Sequence, residues 1–355
     1  MMRRRAFITT VVGPSALLLA VACAQSAVAP SNQPAAASTS LPLAAPTSVP
    51  DKAAAPTKVV ISFSDRTTSD LALFLAKAVD LFGKYGIDAD LQFIASSTGI
   101  AALVSDQTQF ALIGGPETLG AVVGGADLVA IIQLSGAQPY LMEVARSIQS
   151  LDDLRGKKVA VSTLGSSSDT ATRISLRAKG LNPDQDVSIV AVGSLENRMS
   201  ALINGAVDAG LGSPPETIKL EDAGLHALYD LSEIDMPPLA QCLVVKRSTI
   251  TAQRDLVQRV VNAVVEGTAV QKRDKQVSQK TLVDWANITD QRELDVAYDF
   301  WTNHILRVPP TLKASDFQGF VDELVKRNEK ARGFDPSTMI DTSFVDAAAA
   351  QGRTR

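Results

Sequence analysis

Residues 102–118 read ALVSDQTQFALIGGPET, and residues 201–217 read ALINGAVDAGLGSPPET. The two stretches align without a gap, and six of their seventeen residues are identical. Each has the pattern of a helix end, a turn, a short apolar strand and a new helix with proline in its first turn, where proline is well tolerated. We interpret the match as an internal repeat, which predicts two lobes of like construction.

Strand and helix patterns alternate on both sides of each copy. Val59–Ile61 predicts a strand and Leu71–Phe82 a helix before the first copy, while Val159–Val161 predicts a strand and Asp169–Lys179 a helix before the second. Strands separated by helices are typical of a mostly parallel sheet. We therefore predict an α/β fold of two βα lobes. Additional C-terminal helices are expected at about residues 252–284, 290–305 and 314–330.

The first 23 residues have the features of an export signal. Arg3–Arg5 precede the apolar run Ile8–Val21, which is short for a membrane span. Arg4 and Arg5 also resemble the start of a twin-arginine pattern, and Leu19–Cys23 resembles a bacterial lipobox. We expect an exported protein, periplasmic or at the cell surface, that is anchored to the membrane by lipidation of Cys23. Ordinary signal cleavage and general secretory export remain the alternatives.

The segment after this signal has the composition of a tether. Residues 24–57 are rich in Ala, Pro, Ser and Thr and contain few large apolar side chains, so they cannot bury enough surface to fold. The remaining residues, from 58 to 355, are sufficient for two lobes with real cores. Cys242 is the only cysteine after Cys23, so we expect no disulfide within the body and place Cys242 in a buried strand.

Composition excludes several classes of function. The chain has 38 acidic and 34 basic residues and a net charge of -4, which argues against nucleic acid as a partner. It contains two histidines, and neither a Gly-x-Ser-x-Gly elbow nor a His-Glu-x-x-His pair is present. We therefore expect no catalytic residues, no metal and no cofactor.

The loops that follow the predicted strands are the candidate binding site. Ligands of open parallel sheets bind beyond the carboxyl ends of the strands, where helix N-termini offer free amides. The candidate substrate-binding residues in these loops are Ser64, Arg66, Thr67, Gly114, Gly115, Pro116, Glu117, Gly165, Ser166, Ser167, Ser168, Ser194, Ser213 and Glu216.

Each candidate also has an ordinary structural explanation. The run Gly165–Asp169 can hold an anionic group, but serine and aspartate are equally the preferred helix caps. Arg66 offers a bidentate contact to an anion or is a solvated surface side chain. Glu117 and Glu216 stand just inside helices, where a carboxylate also offsets the helix dipole. Two further arginines, at positions 173 and 198, fall within helices and are expected at the surface.

Three strings carry a resemblance to a known family. They are KYGID at residues 84–88, SLDDLRGKKVAV at residues 150–161 and ALINGAVDA at residues 201–209. With these strings the chain resembles the ABC-transporter substrate-binding proteins of the sulfonate, nitrate and thiamine-precursor type, the SsuA or NMT1/THI5-like family. The first strand-to-helix loop lacks the aromatic residue that many relatives place there, so the identity of the ligand does not transfer.

The resemblance implies a periplasmic-binding-protein fold in which two lobes close on a ligand. Lobe I would comprise residues 58–137 and 238–355, lobe II residues 143–236, and the hinge residues 138–142 and 237–241. The implied function is capture of a small, anionic organic solute by a monomer that delivers it to the subunits of an ABC permease. An enzyme of the pyrimidine-precursor type and a sensing lipoprotein without transport remain the alternatives.

Overall fold

The computed structural model describes residues 55–239 and 241–355. The predicted signal, the lipidation site Cys23 and the predicted tether up to residue 54 lie outside the described residues. The first strand begins at Thr57, at the last residue of the predicted tether.

Two five-stranded sheets form the framework. The first sheet has the order β2-β1-β3-β10-β4, and the second has the order β7-β6-β8-β5-β9. The strands are β1 (Thr57–Phe63), β2 (Ile87–Phe93), β3 (Phe110–Gly114), β4 (Leu128–Gln133), β5 (Leu141–Val144), β6 (Lys158–Val161), β7 (Ser188–Ala191), β8 (Ala209–Gly212), β9 (His226–Asp230) and β10 (Gln241–Lys246). We call the part packed around the first sheet lobe I and the part packed around the second sheet lobe II.

Thirteen α-helices occur in the described chain, and most of them pack on the faces of these sheets. They are α1 (Leu71–Ala78), α2 (Leu81–Lys84), α3 (Ser96–Val104), α4 (Gly115–Val123), α5 (Ser167–Ala178), α6 (Leu195–Ile203), α7 (Glu216–Asp222), α8 (Arg247–Ala252), α9 (Arg254–Arg273), α10 (Lys275–Ala286), α11 (Gln291–Phe300), α12 (Ser315–Val325) and α13 (Ser343–Ala350). None of the helices in this part of the chain is long and apolar enough to cross a bilayer.

The two sheets are built alike. In lobe I, β1 pairs in parallel with β2 and β3, and β10 pairs antiparallel with β3 and β4. In lobe II, β6 pairs in parallel with β7 and β8, and β5 pairs antiparallel with β8 and β9. The two copies of the sequence repeat supply β3 and β8, which take the same place in their sheets. The predicted pair of similar, mostly parallel α/β lobes is therefore present.

The core of lobe I lies between the first sheet and helices α1 and α9. Val59, Ile61 and Phe63 alternate along β1 and are almost fully buried against these helices. The two helices approach closely because position 267 of α9 is glycine. A side-chain carbon there would clash with the backbone carbonyl of Ala72 in α1.

Lobe II has a smaller core on the two faces of its sheet. Met142, Val144, Val159 and Leu211 pack on one face, and Ala160 belongs to the cluster on the other. Short strands are enough to form this core because helices α5, α6 and α7 flank the sheet and supply further apolar side chains.

Some elements differ from the prediction. Strand β5 and strand β9, which begins at His226, have no counterpart among the predicted strands. The predicted helix at residues 252–284 is two helices that meet at Asp274. The Asp274 side chain accepts a 2.9 Å hydrogen bond from the Val277 amide, and this capping bond begins α10.

Two segments carry the chain between the sheets. The first lies between Gln133 and Leu141, and the second lies between Asp230 and Gln241. The two segments run beside each other. The Gln138 side-chain amide donates to the Pro237 carbonyl at 2.6 Å, and the Leu239 amide donates to the Ala137 carbonyl at 3.1 Å.

Candidate functional site

A small cavity lies between the lobes at the carboxyl ends of the strands, and we call it the inner cavity. Its volume is about 40 Å³. A water molecule needs on the order of 10–15 Å³ of such space, so the inner cavity has room for a small head group. Its wall consists of Ser64, Asp65, Thr67, Ser69, Gly114, Glu117, Tyr140, Ser162, Ser166, Ser167, Ser168, Leu195, Arg198, Ser213, Leu239, Gln241 and Trp301.

Arg198 is the cationic group of this wall. It lies on α6 and is only 2% exposed, although the sequence predicted a surface residue. Its guanidinium donates to the Leu211 carbonyl and to the Ser162 hydroxyl, each at 2.8 Å. Both acceptors are neutral, and within the described chain no ion pair joins Arg198 to a carboxylate. The carboxyls of Asp65 and Glu216 act on Arg198 only through space, so the guanidinium can still donate to an anion in the cavity.

The burial of Arg198 depends on a glycine in the adjacent strand. Position 210 lies in β8, beneath α6. A side-chain carbon at Gly210 would stand 3.2 Å from Cγ of Arg198. The absent side chain therefore leaves room for the arginine stem, and burial of the guanidinium lowers the pKa of Arg198.

A chain of hydroxyl groups continues from Arg198 to the start of α5. Ser162, which accepts from Arg198, donates its backbone amide to the Ser168 hydroxyl at 2.9 Å. The hydroxyls of Ser168 and Ser166 are 3.0 Å apart. Ser166 also caps α5, since its hydroxyl accepts from the Asp169 amide at 3.3 Å. Capping and cavity formation are therefore combined in one run of serines.

Glu117 joins lobe I to this helix start. Its carboxylate accepts from the Ser167 amide and from the Ser167 hydroxyl, each at 3.0 Å. Glycine at position 114 makes room for this contact, because a side-chain carbon there would clash with the Glu117 carboxylate and the Ser167 hydroxyl. The repeat places Glu216 at the matched position of lobe II, where burial raises its pKa to about 7.

Asp65 makes a similar contact with the next helix. Its carboxyl group accepts a hydrogen bond from the Leu195 amide, at the first residue of α6. Enclosure between the lobes raises the pKa of Asp65 to about 6, a shift that the nearby Arg198 opposes and Glu117 reinforces. Tyr140 stands in the same wall, and burial raises the pKa of its hydroxyl.

The wall on the side of lobe I is a second polar network. Gln241 donates to the Asp70 carboxyl at 2.6 Å, and Ser69 donates to the same oxygen at 3.0 Å. Burial raises the pKa of Asp70 well above its usual range. Trp301 completes this wall and spans the lobes, because its indole N–H donates to the Pro214 carbonyl at 2.6 Å.

The structure brings many of the sequence-predicted positions to one place. Those that line the inner cavity are Ser64, Thr67, Gly114, Glu117, Ser166, Ser167, Ser168 and Ser213. Gly165 and Pro116 line an adjacent groove of about 320 Å³, and Ser194, Arg66 and Glu216 line pockets at the mouth of the cleft. Gly115 begins α4 and lines none of these described cavities.

Sequence reasoning missed several residues of the wall. They are Asp65, Tyr140, Ser162, Gln241 and Trp301, together with Arg198, for which the surface prediction was wrong. The prediction for Arg173 was wrong as well, since it is 7% exposed and paired with Asp169. Asp65 stands between two predicted positions and was detectable, whereas Tyr140 and Trp301 come from segments with no strand-loop-helix pattern.

The wall offers hydrogen-bond donors for an anion. Its polar groups are hydroxyls, carboxyls, amides, an indole and one guanidinium, and this described wall contains neither His nor Cys. Cys242 is buried in β10, and burial raises the pKa of its thiol. The described residues also include no group of three or more His, Cys, Asp or Glu placed to hold a metal ion.

Comparison with known families gives one match in sequence. The family model described as NMT1/THI5 like matches residues 67–275. No curated protein matches the chain.

Solved structures similar to this one share its architecture. The alkanesulfonate-binding protein SsuA from Xanthomonas axonopodis pv. citri, bound to MOPS, has a TM-score of 0.67 at 20% identity, covering 82% of this chain and 100% of that one. The aliphatic sulphonate binding protein SsuA from Escherichia coli has a TM-score of 0.64 at 19% identity, covering 81% of this chain and 92% of that one. The nitrate-binding protein NrtA from Synechocystis PCC 6803 has a TM-score of 0.68 at 16% identity, covering 83% of this chain and 89% of that one. The predicted periplasmic-binding-protein fold is thereby confirmed.

Proposed function

Since this chain belongs to the NMT1/THI5-like family, we propose that it is the solute-binding component of an ABC importer. In this proposal the two lobes enclose a small anionic organic solute, of the sulfonate or carboxylate class, and deliver it unchanged to the permease subunits. The protein acts as an exported monomer held to the membrane by a lipid on Cys23.

The observation that carries this proposal is the environment of Arg198. A guanidinium that is 2% exposed faces a cavity between the lobes and contacts two neutral oxygens. An anionic head group beside it would accept charged hydrogen bonds directly from the guanidinium, and the hydroxyls of Ser162, Ser166 and Ser168 would donate to the same group. The similar solved structures include two sulfonate-binding proteins and a nitrate-binding protein, which agrees with this class.

Opening and closing of the lobes would admit the solute. We place the hinge in residues 138–142 and 237–241, between lobe I (58–137 and 238–355) and lobe II (143–236). The two hinge segments are joined by hydrogen bonds beside the cavity, so a small rotation there moves the walls apart without breaking either sheet. A solute that touches both walls favours the closed state.

The test measures binding and chemical fate together. Purified protein is screened by thermal shift against alkanesulfonates, short carboxylates and nitrate, and the positive compounds are measured by titration calorimetry. We expect a member of the sulfonate or carboxylate class to raise the melting temperature, because binding to the folded state alone stabilises it. Mass spectrometry should recover that compound unchanged.

Two outcomes would contradict the proposal. If no anion in the panel shifts the melting temperature, the cavity does not serve an anionic solute. If the compound returns chemically changed, the pyrimidine-precursor type of enzyme becomes the better description. Deletion of the gene separates transport from sensing. Loss of a transport component lowers uptake of the identified solute, whereas loss of a sensor leaves uptake unchanged.

A further inference from the structure

Two acidic residues of lobe I occupy helix N-termini of lobe II. Glu117 accepts from the amide and the hydroxyl of Ser167, the first residue of α5, at 3.0 Å each. Asp65 accepts from the amide of Leu195, the first residue of α6. In both helices the acceptor comes from the opposite lobe.

These amides are positions where an anion binds well. The first amides of a helix have no partner within the helix, and the helix dipole favours negative charge beside them. At the start of α5 the Ser166 hydroxyl already serves the Asp169 amide, so the Ser167 amide points to the cleft. Carboxylate and sulfonate groups present the same kind of oxygen acceptor that Glu117 presents.

We propose that Glu117 is an internal competitor of the solute. Its carboxylate holds the lobes together through Ser167, and the anionic head of the solute competes with it for this position. This inference rests on the proposed function, and it names Glu117 as the residue that sets affinity and selectivity.

The cavities on the two sides of Glu117 also support its role as a competitor of the solute. It lines the inner cavity of about 40 Å³ and also the adjacent groove of about 320 Å³. While Glu117 stays on Ser167, the inner cavity has room for little more than three water molecules. Displacement of its side chain would join the two spaces. A solute with a body larger than its head group therefore needs Glu117 to move.

The test replaces the charge and keeps the shape. Glu117→Gln retains a weaker acceptor for Ser167 and removes the competing carboxylate, so the affinity for the anionic solute found in the screen should rise on the order of tenfold. The matched control is Asp88→Asn, which removes the same charge from an exposed position of β2 that lines none of the described cavities. We expect a change of less than twofold for the control.

A second readout needs no ligand. Small-angle scattering of the solute-free protein should show a compact wild type and a more open Glu117→Ala variant, because the alanine variant loses both contacts with Ser167. A change of net charge alone does not open the lobes, so the Asp88→Asn protein should scatter like the wild type.

The outcomes separate this inference from the proposed function. Weaker or equal binding by Glu117→Gln would overturn the competition, and weaker binding would make Glu117 a direct contact of the solute. If neither the wild type nor the variant binds any anion, the proposed function fails. Scattering then decides whether Glu117 holds the lobes, and identical curves for the wild type and Glu117→Ala would overturn that role as well.

Discussion

Arg327, just beyond the end of α12, reaches across the cleft and donates a 2.9 Å hydrogen bond to Asp169 at the start of α5. Asp169 is fully buried, and it also accepts from the Gly165 amide and from Arg173, each at 2.7 Å. This ion pair is therefore one of the contacts that join the two lobes in their closed arrangement.

Replacing Arg327 tests this pair. Arg327→Met should lower the free energy of unfolding by about 1 kcal/mol, a loss limited by the donors that Asp169 keeps. Thermal unfolding gives the change. The control is Arg332→Met. Arg332 pairs with Glu329, which is exposed on the same lobe, so this variant should lose close to no free energy of unfolding. Equal losses in the two variants would show that the Asp169 contact does not stabilise the closed form.

Replacing Arg198 tests the proposed anion receptor. Arg198→Met should reduce the affinity for the anionic solute at least about a hundredfold, since two or more charged hydrogen bonds are lost. Arg66→Met is the control, because Arg66 lies over the rings of Phe63 and Phe93 at the mouth and not in the inner cavity. Calorimetry gives both affinities, and circular dichroism checks that each variant is folded.

The opposite order of the two affinities would contradict the proposed site. If Arg66→Met abolishes binding and Arg198→Met leaves it intact, the solute binds at the mouth of the cleft and the inner cavity is not its site.

Local pattern predicts the repeated parts of this fold and fails where distant segments meet. The two copies of the repeat contain their strand, turn and helix within seventeen residues, so their structure follows from sequence order. By contrast, β5 is four residues long and is fixed by pairing with β8 and β9. No local signal marks such a strand.

The same distinction applies to the site. Ser166 was predictable because a helix cap leaves a pattern of its own. Arg198 was not, since its burial depends on Gly210 in a strand twelve residues later and on the loops of the opposite lobe. Trp301 belongs to the C-terminal helices and reaches the cavity only through the fold of the whole chain.

The serines at the start of α5 have separable roles. Ser166→Ala removes the cap of α5 and should lower the free energy of unfolding by about 1 kcal/mol. Ser167→Ala keeps the backbone amide and loses only the hydroxyl bond to Glu117, so it should change affinity more than stability. Replacing Ser166, Ser167 and Ser168 together should weaken binding in a protein that still folds. Unchanged affinity in the triple variant would reduce the run to a helix cap.

Two glycines on either side of Glu117 form a matched pair. Gly114→Ala places a carbon against the Glu117 carboxylate and the Ser167 hydroxyl, in the space that the head group of the solute would take, so it should reduce solute binding at least about tenfold. Gly120→Ala lies inside α4 with open space around it, and it should stabilise the protein by about 0.5–1 kcal/mol. Because Gly120 lines the adjacent groove and not the inner cavity, its effect on affinity should be smaller than that of Gly114→Ala. Calorimetry and thermal unfolding measure both effects, and tolerance of alanine at position 114 would show that the cleft adapts.

Glu143 predicts how stability depends on pH. It is 1% exposed in β5, one of its carboxyl oxygens has no hydrogen-bond partner in the described chain, and burial raises its pKa to about 7. Between its unfolded pKa, near 4.5, and about 7, the folded state therefore holds a proton that the unfolded state has released. Stability falls as the pH rises through this window. The fall amounts to about 3 kcal/mol, and it is complete above about pH 7.

Glu143→Gln should remove this fall, because the amide stays neutral at every pH. The variant and the wild type should then have similar melting temperatures at pH 5, and the variant should be the more stable at pH 8. Glu329→Gln is the control. Its bond with Arg332 lowers the pKa of Glu329, so above about pH 6 that carboxyl is charged in both states and contributes no slope. A wild type and a Glu143→Gln variant that respond to pH in parallel would show that Glu143 is hydrated and ionises normally.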